Sequence, residues 1–156
     1  MPMKLSGEIT IKAPRARIFE ALRDPQFFAS CIEGIRDLTE INGTHYDAVL
    51  ETKVAYLQFK FKVVVELTRI EPPQTLEAKV EGTPLGVVGR LTATSRTTLT
   101  ELDDATLVHY EIDTALTGKL GAVGQPVLKS KAKQMEKQFF ARLRAAFEEA
   151  APAEAQ

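Results

Sequence analysis

The chain has 156 residues, with 20 Lys and Arg against 21 Asp and Glu and a net charge of −1. That length gives one domain with a core of its own, and that balance excludes a global basic bias toward nucleic acid. The single cysteine, Cys31, excludes an internal disulfide and fits a reducing compartment such as the cytoplasm.

The start of the chain carries no signal segment in this reading, because Met1-Pro2-Met3-Lys4 leads straight into a strand pattern. Met3, Leu5, Gly7, Ile9 and Ile11 alternate with Lys4, Ser6, Glu8, Thr10 and Lys12, which predicts a half-buried strand. Ala13-Pro14 ends it, and Pro14 opens a short helix with Ile18, Phe19 and Leu22 on its inner face. Asp24-Pro25 stops that helix, and a second short one follows through Phe27, Phe28 and Cys31. For Cys31 the role of a small buried hydrophobe outweighs that of a reactive thiol.

A long β meander comes next. Ile35, Leu38 and Ile41 precede Asn42-Gly43, a strong hairpin signal. Tyr46, Ala48, Leu50, Thr52 and Val54 share one strand face, and Phe59, Phe61, Val63, Val65 and Leu67 share the next. After Pro72-Pro73, Leu76, Ala78 and Val80 alternate with Glu77, Lys79 and Glu81. A strand from about Val88 to Glu101 follows, then Val108, Tyr110, Ile112, Thr114 and Leu116 in the last strand. From Val127 to about Ala150 apolar residues recur at helical spacing: Leu128, Ala132, Met135, Phe139, Leu143, Ala146 and Ala150, widened by Phe140 and Phe147. Such a helix is roughly 35 Å long. It is the only element able to cover the meander.

The expected fold is therefore α+β: a curved seven-stranded antiparallel sheet wrapped around one long C-terminal helix, with two short helices after the first strand. Residues 1–150 form a single domain and residues 151–156 a frayed tail. Alternate turns of a meander fall at the same end. One end gathers tight polar turns at Asn42-Gly43, Pro72-Pro73 and Asp103-Asp104. The other gathers loops carrying Tyr56, Leu57, Leu85, Val87, Val88, Leu120 and Val123, the expected mouth of an apolar cavity or a docking patch. Apolar loops of this kind can also bury each other in a homodimer.

No catalytic residue, metal site or cofactor is expected. His45 follows a turn and His109 alternates with Val108 and Tyr110, so both read as surface groups without a metal-ligand pattern. Gly118-x-x-Gly121-x-x-Gly124 precedes a helix but lies outside any βαβ unit, so it is no dinucleotide fingerprint. A hinge and a cavity gate remain open for it. Lys129, Lys131, Lys133, Lys137, Arg142 and Arg144 crowd the long helix as a solvated face or as a docking surface for a partner enzyme or anionic lipid.

Several short motifs fall in a definite order: Gly7, Ala13-Pro14, Asp24-Pro25, Cys31-Ile32-Glu33-Gly34, Glu71-Pro72-Pro73, Gly118-Lys119-Leu120-Gly121, and Gly124-Gln125 ahead of Phe139-Phe140. With this order the chain resembles the carbon monoxide dehydrogenase CoxG family, within the START-like (SRPBCC) helix-grip superfamily, from Met3 to Phe147. It departs from the family at Glu33, where proline is usual, and at Ala55 and Gln58, where glycines are common. A hydrophobic C-terminal anchor found in some members is absent, which favours a soluble carrier. The resemblance implies a helix-grip fold with an internal cavity for a quinone- or lipid-like molecule. It also implies an accessory role around a molybdenum hydroxylase, with transient contact at the inner membrane face.

The expected lining is Phe27, Phe28, Tyr56, Phe59, Phe61, Leu85, Val87, Leu120, Val123, Leu128 and Met135, with Gly118, Gly121 and Gly124 as the gate. Phe139 is expected to serve as core, and hydroxyls of Thr52, Tyr56, Tyr110 and Thr114 to orient a ligand carbonyl. Two rival readings stand beside the carrier: a polyketide cyclase or aromatase of the same superfamily, and a protein-docking or assembly factor.

Overall fold

The computed structural model describes residues 2–54, 57–118 and 125–149. Strand β1 (Pro2–Ile11) is followed by helices α1 (Arg15–Arg23) and α2 (Pro25–Ser30). The meander comprises β2 (Ile35–Asn42), β3 (His45–Val54), β4 (Leu57–Glu71), β5 (Thr75–Pro84), β6 (Gly89–Glu101) and β7 (Thr106–Gly118). Helix α3 (Gln125–Arg144) runs into one π-helical turn, Ala145–Glu149.

The strands form one seven-stranded sheet in the order β1-β7-β6-β5-β4-β3-β2, antiparallel throughout. The meander thus lies in chain order, and β1 returns to its far edge beside β7. There Ile9 pairs with Val108 and Ile11 with Thr106. Thr106, fully buried, donates its hydroxyl to the Ala13 carbonyl at 2.8 Å and holds the exit of β1 against β7. Asp24 ends α1 and begins α2: its carboxylate accepts the Gln26 N–H at 3.0 Å, and Pro25 occupies the first turn.

Two apolar clusters hold the layers together. The first joins Ile9 and Ile11 of β1, Ile18, Phe19 and Leu22 of α1, Leu76, Leu99 and Val108 of the sheet, and Leu143 of α3. The second joins Val54, Phe59, Phe61, Val63 and Leu116, with Val127 and Leu128 of α3 packed on it. The long helix is therefore anchored in a different cluster at each end.

Strand alternation in β1, β3, β4, β5 and β7 falls as the sequence predicts, because one face meets the helix and the other meets water. Two expectations change. Strand β2 is irregular, with register shifts between Arg36 and Thr39 and between Glu40 and Asn42, positive φ at Asp37, and Ile41 at 58% exposure. A bulged edge strand cannot keep a two-residue alternation. The α-helical period also ends at Arg144, not near Ala150. The wider π turn carries Phe147 onto the first cluster while Ala146 stays exposed. Glu148 in that turn accepts the Lys12 backbone N–H at 2.9 Å.

Gly118 adopts φ +66°, and a Cβ there would lie 2.6 Å from Gly89 Cα on β6. Glycine is needed at this position for the backbone approach itself. Gly118→Ala should cost about 1–3 kcal/mol, read as a lower urea midpoint. Leu143→Ala should cost about 2–5 kcal/mol, because Leu143 is fully buried and fixes the far end of α3. A loss under about 1 kcal/mol at Leu143 would show that α3 is not anchored there.

Candidate functional site: the space between two apolar clusters

Between the clusters the helix-facing side of the sheet carries small and hydroxylated residues. On β6, Leu91 packs on the second cluster and Leu99 belongs to the first. Alternation then puts Ala93, Ser95 and Thr97 on the same face between them. The register sets Ala78 of β5 beside Ser95, and Thr114, Ile112 and Tyr110 of β7 beside Ala93, Ser95 and Thr97. All of these are only half-buried, although they lie on the face that α3 covers. The matching stretch of α3, between Leu128 and Phe139, holds Ala132, Met135 and Glu136, also half-buried. Ala78, Ala93, Ser95 and Thr97 on the sheet and Ala132 on the helix are the small residues of this stretch, set beside the larger Ile112, Tyr110 and Met135.

One polar pair crosses this space. Tyr110 donates its hydroxyl to Glu136 Oε2. The Tyr110 ring also meets Phe140, one helical turn beyond Glu136, edge-on at 5.7 Å. Gly7 lies opposite Tyr110 on β1. A Cβ at Gly7 would stand 2.8 Å from the Tyr110 ring and 2.9 Å from Glu136 Oε2, so this glycine provides the room for the pair.

Among the expected lining residues, Phe59 and Phe61 are buried in the second cluster with ring centroids 5.9 Å apart, and Leu128 packs on that cluster. Met135 stands between the clusters on α3. Phe27 packs on the first cluster, its ring 6.3 Å from Phe147. Phe28 is 41% exposed and rests on Phe139 at 4.9 Å. Leu85 and Val87 are exposed on the β5–β6 loop, and Leu85 donates its backbone N–H to the Lys60 carbonyl at 2.8 Å. Phe139 packs on the first cluster. Tyr56, Leu120, Val123, Gly121 and Gly124 lie outside the described residues.

Glu136, Ser95, Thr97, Ala78 and Ala93 are not singled out by sequence reasoning. The signal is present in β6, where Leu91 and Leu99 bracket three small residues in register. Glu136 stands one turn before Phe140, at the widened edge of the apolar stripe.

The other candidate groups have plain surroundings. His109 faces outward between Glu8 and Glu111, each 3.4 Å away. Among the described residues no group of three or more His, Cys, Asp or Glu could hold a metal ion, and no helix is long and apolar enough to cross a membrane. Burial pushes the Cys31 thiol up, against smaller opposing effects of Ser30 and Arg142, so its thiolate is disfavoured.

Known proteins share this architecture. A conserved protein from Geobacillus kaustophilus is 27% identical, with a TM-score of 0.86 over 95% of this chain and 97% of that one. A START superfamily protein from Mycobacterium smegmatis matches at 12% identity and TM-score 0.69, covering 94% and 98%. The Zhui aromatase/cyclase from Streptomyces sp. R1128 matches at 15% and 0.69, covering 95% and 94%; these two show the fold alone. No curated protein sequence matches the chain. The model of the CoxG family, described as the G subunit of carbon monoxide dehydrogenase, matches residues 7–148. With a match over nearly its whole length and a START-like helix-grip fold, the chain belongs to the carbon monoxide dehydrogenase CoxG family.

Proposed function

We propose that this protein holds an apolar small molecule, quinone- or lipid-like, between α3 and the sheet, and serves as a non-catalytic carrier for carbon monoxide dehydrogenase-like molybdenum hydroxylases. The observation that carries the reading is the strip of Ala78, Ala93, Ser95, Thr97 and Thr114 between two separate apolar clusters, facing Ala132 and Met135. A core built only for stability would fill that strip with large side chains. The family membership supports the enzyme partner.

In this reading Phe59, Phe61, Leu128 and Met135 contact the ligand, and Leu57 at the start of β4 forms the entrance with the loop of Leu85, Val87 and Val88. Leu85 at 52% and Val88 at 80% exposure are costly to leave in water, which supports transient burial against a partner, a second copy or a membrane surface at the inner face of the cytoplasmic membrane. Lys129, Lys133 and Lys137 on α3 stay exposed and available for the same docking. Residues 1–150 act as the single ligand-binding domain. The cyclase or aromatase reading draws on the inward Tyr110–Glu136 pair; conversion of a poly-β-ketone substrate by purified protein would favour it.

Native mass spectrometry of the purified protein with lipid extraction identifies the resident molecule. Met135→Lys should reduce uptake of a fluorescent apolar probe by at least about tenfold, because an unpaired ammonium is poorly tolerated in an apolar space. Its circular dichroism spectrum should match the parent's. Equal probe binding by both proteins would remove the carrier and leave the docking factor.

A further inference from the structure

A carboxylate on the sheet-facing side of α3 needs a reason. Glu136 lies midway between the two anchored ends of the helix, and Tyr110 lies on β7 between Val108 and Leu116, which belong to different clusters. The pair therefore sits at the level of the strip between the two clusters. Among the described residues Glu136 has no Lys, Arg or His partner and no hydrogen bond besides that from Tyr110.

The hydrogen-bond inventory sets what the pair can offer a third group. A phenol has one O–H, and Tyr110 has committed it to Glu136. A carboxylate only accepts. The unoccupied positions are thus Glu136 Oε1, with its lone pairs, and the remaining lone pair of the Tyr110 oxygen. Both are acceptors. Thr97 stands beside Tyr110 in register, with Ser95 next along the same face; among the described residues their side-chain hydroxyls hold no hydrogen bond. The pair is also preset. Phe140 supports the Tyr110 ring edge-on, and Gly7 leaves the space that any side chain on β1 would take.

We propose that Tyr110 and Glu136 are the specificity-determining polar point of this space, selecting apolar molecules whose polar end donates a hydrogen bond. A phenol or alcohol is preferred to the matching ether. The inference rests on the reading that the helix–sheet space takes an apolar ligand, and it gives that ligand a polarity. A pair serving only to tie α3 to the β1–β7 edge would give no such preference.

The test uses the full chain and two probes of one shape, 2-naphthol and 2-methoxynaphthalene, titrated by fluorescence. The parent protein should bind the naphthol about tenfold more tightly, the order expected for a hydrogen bond to a charged acceptor. Glu136→Gln keeps the shape but adds an N–H₂ donor. It should bring the ratio to about unity while the methoxynaphthalene affinity and the circular dichroism spectrum hold. Tyr110→Phe retains the carboxylate and should keep most of the preference. Equal binding of the two probes by the parent, or an unchanged ratio in Glu136→Gln, overturns the recognition role and leaves the apolar carrier standing. Binding of neither probe overturns both.

Discussion

Seven antiparallel strands present one continuous face, and a single long helix must cover it. Strands spaced about 4.8 Å apart make a face roughly 30 Å wide, whereas a helix with its side chains is about 10 Å across. Twist narrows the gap but does not close it. The remaining cover comes from α1, which packs Ile18, Phe19 and Leu22 over one end, and from large residues of β3 and β4, with Phe59 and Phe61 at the other. The middle is left to Ala78, Ala93, Ser95, Thr97 and Thr114, with Ile112 and Tyr110 beside them. One helix set against seven strands thus leaves the core in two clusters, with smaller residues between them.

Most of the fold is legible in the sequence because period-two alternation is strong where one strand face is wet. Met3 through Ile11 and Phe59 through Leu67 announce their inner faces directly. The β2 strand is not legible in detail, because bulges around Asp37 and before Asn42 are set by its pairing with β3 and leave no periodic trace. The end of the long helix is hidden for a similar reason. Ala146 and Phe147 both suit the apolar stripe, and only contact with Phe27 and the first cluster decides for Phe147.

The candidate site is legible in part. Large apolar residues such as Phe59, Phe61 and Met135 stand out in a sequence, so they attract the expectation of lining. A space is made by what is small, and alanine or serine in a strand reads as weak signal. The Tyr110–Glu136 contact joins residues 26 apart on a strand and a helix, and no local spacing encodes it. The basic character of α3 also divides only in three dimensions. Arg142 donates to the Ser30 carbonyl at 3.2 Å and Arg144 to the Thr10 carbonyl at 3.0 Å, so both fasten the helix to its neighbours. Lys129, Lys133 and Lys137 remain exposed. One apparent patch is thus two sets of side chains with different work.

The glycines separate in the same way. Gly118 needs its hydrogen because its backbone turns to positive φ against Val88 and Gly89. Gly7 has no positive φ, so its constraint is space for the Tyr110 ring and the Glu136 carboxylate. A glycine in a strand interior weakens the strand by giving up a side chain that could pack. At Gly7 that weakness falls on an edge strand, β1, ahead of two pairs in the first cluster's region, Ile9 with Val108 and Ile11 with Thr106. The loss of packing and the inward polar pair are one feature: the edge gives up a side chain, and the Tyr110 hydroxyl and the Glu136 carboxylate meet where it would stand.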